Sequence, residues 1–259
     1  MTPMLKVDSL TRTFGGLTAL RDLTFEVQPG QIVGLIGPNG AGKTTAFNVI
    51  SGTLPPTSGT VHFKGRDISG GPPSSVVRLG LARTFQSTSI YPKATVAQNV
   101  YRGALSRLQT PMLAQLLGTA SHHANLGALH EEVERVVDLM GLARHRDTIA
   151  GGLPYGLQKR LGVAIGLATQ PEMLLLDEPA AGLNPEESAE FGRLLRSLRD
   201  QHQLTLLLVE HHMALVMGVC DNIVVLVQGQ KIAEGTASEV RDNPAVIEAY
   251  LGAPEEAHA

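Results

Sequence analysis

A chain of 259 residues with 43% hydrophobic and 17% charged residues has the apolar content for one large α/β domain, or a core with a smaller lobe, and is not the composition of a disordered protein. The net charge of −3 speaks against a general nucleic-acid binder, and the single cysteine, Cys220, excludes an intrachain disulfide, which is compatible with a reducing compartment. No apolar run approaches the roughly 20 residues that span a bilayer, and residues 1–6 carry no apolar leader segment, so no signal peptide is expected and any membrane role must come through a partner.

In chain order, residues 5–12, 19–27 and 59–68 read as strands, with Leu23, Phe25 and Val27 alternating, as do Val61 and Phe63. They predict an antiparallel sheet beside a larger core. Phe14 is read in the loop after the first strand, ahead of Gly15 and Gly16; on the residues alone it is either a loop hydrophobe or a ring offered to a ligand. Pro29-Gly30 turns the chain into the short apolar run 31–36, a buried strand. There follow Gly37, Pro38, Asn39, Gly40, Ala41, Gly42, Lys43, Thr44 and Thr45, and then a helix through 46–50. Strand, glycine loop and helix is the context that makes G-x-x-x-x-G-K-[ST] a phosphate site. The glycines let successive N–H groups turn inward around an anion, and the helix N-terminus adds to the attraction. Lys43 can reach the outer phosphates and the Thr44 hydroxyl can ligate Mg2+. A plain glycine turn is the alternative, and the full set of fixed positions weighs against it.

Residues 52–59 form a Pro/Gly/Ser/Thr-rich turn, 70–73 another break, 73–80 a short helix, and Arg83-Thr84-Phe85-Gln86 a strand end. Residues 102–130 contain no Asp or Glu and carry Leu105, Leu108, Met112, Leu113, Leu116 and Leu117; helices broken near Pro111 and Gly118 are expected. Such a segment is either a docking surface or a helical lobe packed on itself. His122-His123 has no i, i+4 partner and no nearby cysteine, so no metal is expected there. An amphipathic helix is predicted over 131–142 from Val133, Val136, Val137 and Met140. Residues 153–158 precede a helix to about Thr169, stopped by Pro171. The apolar strand 173–176 then ends in Asp177-Glu178, two acids where an open parallel sheet binds its ligands. A helix over 186–199, a buried strand 204–209 ending in Glu210-His211-His212, a hairpin of 223–227 with 231–233, and C-terminal helical turns around Val240, Val246 and Tyr250 complete the chain before a frayed tail at 255–259. No internal repeat is present.

The glycine loop, Gln86, the stretch 153–158, the acid pair and His211 stand in the order found in the ATP-binding subunits of ABC transporters, which the chain resembles over nearly its whole length. The resemblance implies an α/β fold: a RecA-like P-loop core with an antiparallel β lobe, a helical subdomain over about 87–168 and a C-terminal extension over about 235–259. It implies ATP and Mg2+ as cofactors. Phe14 would stack on adenine, and residues 37–45 would bind the phosphates. Thr44, Gln86 and Asp177 would hold Mg2+, with Gln86 also sensing the membrane subunits. Glu178 would polarise the attacking water and His211 would contact the γ-phosphate. Tyr155, Gly156 and Gln158, in the signature stretch, would close the site of a partner cassette. Hydrolysis needs these parts in any case: charge neutralisation, donors aimed at the γ-phosphate and a group that positions water.

Three positions depart from the family pattern. Pro154 replaces a serine and has neither hydroxyl nor N–H, with Tyr155 in place of the first glycine; Asn184 replaces an aspartate; and His212 stands where an aspartate is usual. Within the family the chain is similar to the LivG-type ATPase subunits of bacterial branched-chain amino acid importers, through 14–20, 83–86, 217–221 and 232–252. This implies partners: transmembrane permease subunits, a second ATPase subunit that is a similar chain or another copy, and indirectly a solute-binding protein, with no nucleic acid, at the cytoplasmic face of the cell membrane. Urea and amide importers share much of this pattern. A lipid or lipopolysaccharide exporter is a rival that the C-terminal stretch speaks against. A non-transport ABC protein would carry two nucleotide domains or a long coiled coil, and neither is present.

Overall fold

The computed structural model describes residues 2–84, 90–107 and 119–251. Phe85, Gln86, Leu108, Pro111 to Leu117, Gly118 and the tail at 255–259 lie outside the described residues, as do the side chains of His122 and His123.

The five-residue strands β3 (Ile32–Ile36), β7 (Met173–Asp177) and β8 (Thr205–Val209) are buried at every position. Strands covered on both faces read as continuous apolar runs. They lie in a six-stranded sheet with β6 (Leu81–Arg83), β9 (Asn222–Val227) and β10 (Gln230–Gly235), in the order β10-β9-β3-β8-β7-β6. All neighbours are parallel except β9 and β10, a hairpin turned at Gln228-Gly229 with φ of 48° and 80°. A second, antiparallel sheet runs β2-β1-β4-β5, from β1 (Leu5–Phe14), β2 (Leu17–Val27), β4 (Ser58–Phe63) and β5 (Arg66–Asp67).

Alternation along the strands divides the core. Val33, Leu35, Leu175 and Leu207 face the antiparallel sheet and the helix α1 (Lys43–Ile50), whose Phe47 is fully buried between them. Ile32, Leu174, Leu206 and Ile223 face the other way. They pack against α3 (Val96–Ala104), α4 (Ala120–Leu139), α5 (Tyr155–Leu167), α6 (Pro185–His202) and α7 (Met213–Val219). The short helices α2 (Pro73–Arg78), α8 (Ala237–Arg241) and α9 (Pro244–Leu251) complete the described fold.

Several expectations are corrected. Phe14 is the last residue of β1, paired with Leu17, rather than a loop residue, because the hairpin pairing continues to its tip. The strand expected over 59–68 is two strands, since Lys64 and Gly65 both take positive φ and turn the chain. The helix expected to begin at 131 is the second half of α4. Leu126 and Leu129 extend the apolar spacing of Val133, Val136 and Val137 backward, and no capping residue interrupts it. Two helices were not anticipated, α3 and α7. The first carries a capping box, with Gln98 N–H donating to Thr95 Oγ1 at 3.2 Å and Thr95 N–H to Gln98 Oε1 at 3.0 Å. No helix among the described residues is long and apolar enough to cross a membrane.

Cys220 follows α7 with its Sγ 3.0 Å from where a Cβ on Gly34 would stand, and burial pushes its thiol up to about 12. The thiolate is the reactive species. Native protein at pH 8 should therefore alkylate with iodoacetamide about a hundredfold or more slowly than protein unfolded in urea. Mass spectrometry of a labelling time course checks this, and equal rates would contradict the packing of α7 on β3.

Candidate nucleotide site

The glycine loop wraps an ammonium group. Gly42 caps α1 with φ 101°, and a Cβ there would stand 2.6 Å from Ala19 O; at Gly37 it would meet Leu226 O at 2.1 Å. Only glycine lets the loop pass this close to both sheets. Lys43 opens α1, and its Nζ donates to Gly37 O at 2.7 Å and Pro38 O at 2.9 Å. Burial lowers its pKa, while the charge of Glu178 opposes that shift. Thr44 is exposed and Thr45 half-buried on the first turn, and Asn39 and Gly40 are exposed at the loop's crest. On its outer side the loop is held by the β9–β10 turn. Gly229 N–H donates to Ala41 O at 2.9 Å, and Gly229 O accepts from Arg21 N–H of β2 at 2.9 Å.

The acids leave the end of β7 in different environments. Asp177 is buried and accepts from Arg83 Nη2 at 2.7 Å. Arg83 Nη1 reaches Asn48 Oδ1 at 2.7 Å and Ser51 Oγ at 3.1 Å, which ties the end of β6 to α1. Arg83 was not singled out as a site residue. A charged residue closing the short apolar run Leu81-Ala82 was the available signal. Glu178 takes a left-handed φ of 47°, a conformation that costs a non-glycine residue about 1–3 kcal/mol. The turn is held by Glu178 N–H donating to Val209 O at 2.9 Å and by Lys159 Nζ donating to Glu178 O at 3.4 Å. Glu178 Oε1 lies 3.0 Å from His211 Nε2, and both side chains reach solvent.

The signature stretch runs into a helix rather than preceding it, since α5 takes in Tyr155 to Gln158. Pro154 is the N-cap of α5, and Gln158 Nε2 donates to Leu153 O at 2.9 Å. Tyr155 is half-exposed; its ring lies against Gly182, and Lys159 Nζ stands 5.3 Å from its centroid. Among the described residues, no hydrogen bond joins Tyr155, Gly156 or Gln158 to the glycine loop of the same chain. Asn184 caps α6, its Oδ1 accepting from Glu187 N–H at 2.9 Å, as an aspartate would. His212 caps α7 and meets Ser188 Oγ through Nδ1 at 2.8 Å. Phe14 is 42% exposed, with the Arg12 guanidinium 4.6 Å from its centroid, so it offers a cation-backed ring. Thus Lys43, Asp177, Glu178 and His211 gather around one edge of the sheet, whereas the signature stretch lies apart from the glycine loop.

The residues fit a nucleotide and its cation. Gly37 and Gly42 let the loop close against the backbone of β9 and β2, where Cβ atoms would collide with Leu226 O and Ala19 O, and Lys43 with the α1 N-terminus supplies positive charge. Thr44 and Asp177 offer the hard oxygen donors that suit Mg2+. Among the described residues no group of three or more His, Cys, Asp or Glu side chains clusters so as to hold a metal ion.

A phosphate loop, a buried strand ending in two acids and a histidine over the second acid define an ATP-hydrolysing cassette, and the chain belongs to the ABC transporter family, whose model matches residues 20–181. A second model, for the branched-chain amino acid ATP-binding cassette transporters, matches residues 230–256. The chain is 43% identical over 250 residues to the high-affinity branched-chain amino acid transport ATP-binding protein LivG of Escherichia coli K12, covering 96% of this chain and 98% of that one. It is 32% identical to the lipopolysaccharide export ATP-binding protein LptB of Acidithiobacillus ferridurans, over 97% of this chain and 98% of that one. The crystal structure of the ADP conformation of MJ1267, an ATP-binding cassette of an ABC transporter, superposes with a TM-score of 0.85 at 29% identity, covering 98% of this chain and all of that one.

Breaking a buried ion pair by removing one partner strands the other charge. Arg83→Met should therefore destabilise the chain by about 3–5 kcal/mol in urea unfolding. Asn48→Ala, which removes one hydrogen bond, should cost about 1 kcal/mol. Equal small losses would mean that Asp177 is solvated despite its burial.

Proposed function

We propose that the chain is the MgATP-hydrolysing subunit of an importer for branched-chain or related hydrophobic amino acids. It sits at the cytoplasmic face of the membrane beneath permease subunits, paired with a second cassette and served by a solute-binding protein. The observation that carries the reading is the Glu178–His211 pair, 3.0 Å apart, beside a loop whose buried lysine senses the charge of Glu178. The choice of solute rests on the C-terminal match, and the more distant lipopolysaccharide-export relative makes export the weaker reading.

In this reading Phe14 stacks on the base, and the N–H groups of residues 37–45 with Lys43 bind the phosphates. Thr44, Asp177 and Gln86 would hold Mg2+, which would supply charge neutralisation to the phosphates. Glu178 accepts a hydrogen bond from the attacking water and orients it in line with the bond to ADP. His211 faces both Glu178 and the γ-phosphate. Tyr155, Gly156 and Gln158 complete the partner's site, where the N–H groups at the start of α5 replace the missing serine. Residues 87–168 form the helical subdomain and 235–259 the C-terminal extension.

Reconstituted with its permease and solute-binding protein, the assembly should take up leucine, isoleucine or valine in an ATP-dependent manner. Glu178→Gln should abolish uptake and turnover while MgATP binding persists. Uptake of urea or short amides alone would replace the proposed solute, and turnover by Glu178→Gln near the parent rate would remove Glu178 from its role.

Pro154→Ser restores a hydroxyl that can reach the partner's γ-phosphate. A hydrogen bond to a charged group contributes about 1.5–3 kcal/mol. ATP-driven association with the partner cassette should therefore tighten roughly tenfold or more, measured by ultracentrifugation with the partner's catalytic glutamate neutralised. Unchanged or weaker association would mean that backbone amides already saturate the phosphate.

A further inference from the structure

Glu210 follows β8 directly and is only 2% exposed. Its two oxygens are divided between two loops. Oε1 accepts the N–H of Ala180 at 2.6 Å, two residues beyond Glu178. Oε2 accepts the N–H of His211 at 3.1 Å and, at the long limit, that of His212 at 3.5 Å. Among the described residues no ion pair reaches it, and burial pushes its carboxyl above the ordinary carboxylate range. A buried acid held by amides alone is costly, so its chemistry needs a reason. The reason lies in the donors. N–H groups approach both oxygens, and only a carboxylate accepts on both; an amide side chain would turn its own NH2 against one set. This side chain therefore adds a second tie, beside the Glu178 N–H to Val209 O bond, between the turn that carries Glu178 and the turn that carries His211.

Building on the catalytic reading above, we infer that Glu210 is a positioning residue for hydrolysis: it locks the loop after Glu178 to the loop of His211 and so holds the Glu178–His211 contact at 3.0 Å. Being buried, it acts through Glu178 and His211 rather than by direct contact with the reacting groups. The signal was present in the sequence, since Glu210 ends an apolar strand just as Asp177-Glu178 ends another.

The test compares the parent full chain with Glu210→Gln, which keeps the shape and one acceptor. Expected are a fall in kcat of about tenfold or more, with KM for MgATP within about twofold, the pattern of an interaction made in the transition state. The 15N imidazole resonances of His211, assigned by comparison with His211→Asn, should shift toward those seen in Glu178→Ala. Parent-like turnover, a raised KM with kcat unchanged, or lost turnover with the His211 resonances unmoved would each overturn the inference. Should Glu210→Gln fail to fold, replacing Ala180 by lactate removes its N–H and leaves the carboxylate in place. The same loss of kcat and the same histidine shift are expected, and parent-like behaviour overturns the inference. Failure of the catalytic reading shows separately, as retained turnover in Glu178→Gln.

Discussion

Charge buried at the carboxyl edge of the six-stranded sheet is the constraint around which this molecule is arranged. Lys43, Asp177 and Glu210 are each nearly inaccessible, at the rim of a core otherwise built from aliphatic strands. A buried ion without a partner costs several kcal/mol, so each one commits its neighbours. Lys43 draws the glycine loop around itself through two carbonyls. Asp177 recruits Arg83, which then holds α1 through Asn48 and Ser51. Glu210 collects N–H groups from two loops. The strand order brings β3, β8, β7 and β6 side by side, so these three solutions sit on adjacent strand ends and form one site.

What could be read from the sequence was what depends on local chemistry. Fully apolar runs announced β3, β7 and β8, and the glycine loop was legible because its backbone demands are local. The acid pair stood out because polar residues at the end of a buried strand have few structural excuses, whereas His211 was singled out by the family resemblance. The helix boundary at 131 was misplaced because the acids begin there, while the packing face of α4 begins earlier, at Leu126. Phe14 was put in a loop because its strand partner, Leu17, lies across a turn whose pairing the residue pattern does not reveal. Arg83 and Glu210 carried the same strand-end signal, but their roles stayed hidden: each meets a partner distant in the chain, Asp177 for one and Ala180 for the other, and no spacing rule predicts such a meeting.

The three departures from the family pattern are absorbed in different ways. Asn184 performs the capping that an aspartate would perform, with its Glu187 partner completing the box. His212 finds the Ser188 hydroxyl on α6, so the helix after the switch turn is tied to a neighbour by a side-chain bond. Pro154 supplies no side-chain polar group, only its carbonyl, which accepts from Leu157 and Gln158 N–H; its ring fixes the φ with which the chain enters α5. Asn184 and His212 thus each serve the local structure, and Pro154 stiffens the entry to its helix.

The β9–β10 turn is wedged between the glycine loop and the antiparallel sheet, bonded to Ala41 on one side and Arg21 on the other. Arg21 lies on the strand whose hairpin carries Phe14 near its tip. In the proposed reading, base and phosphate recognition therefore share one mechanical frame. A purine seated on that ring would brace the hairpin, the wedge and the anion loop together, whereas a bare polyphosphate would engage only the last of them. The affinities of the two halves of a nucleotide would then not be independent quantities, and the joined molecule would bind better than its fragments suggest.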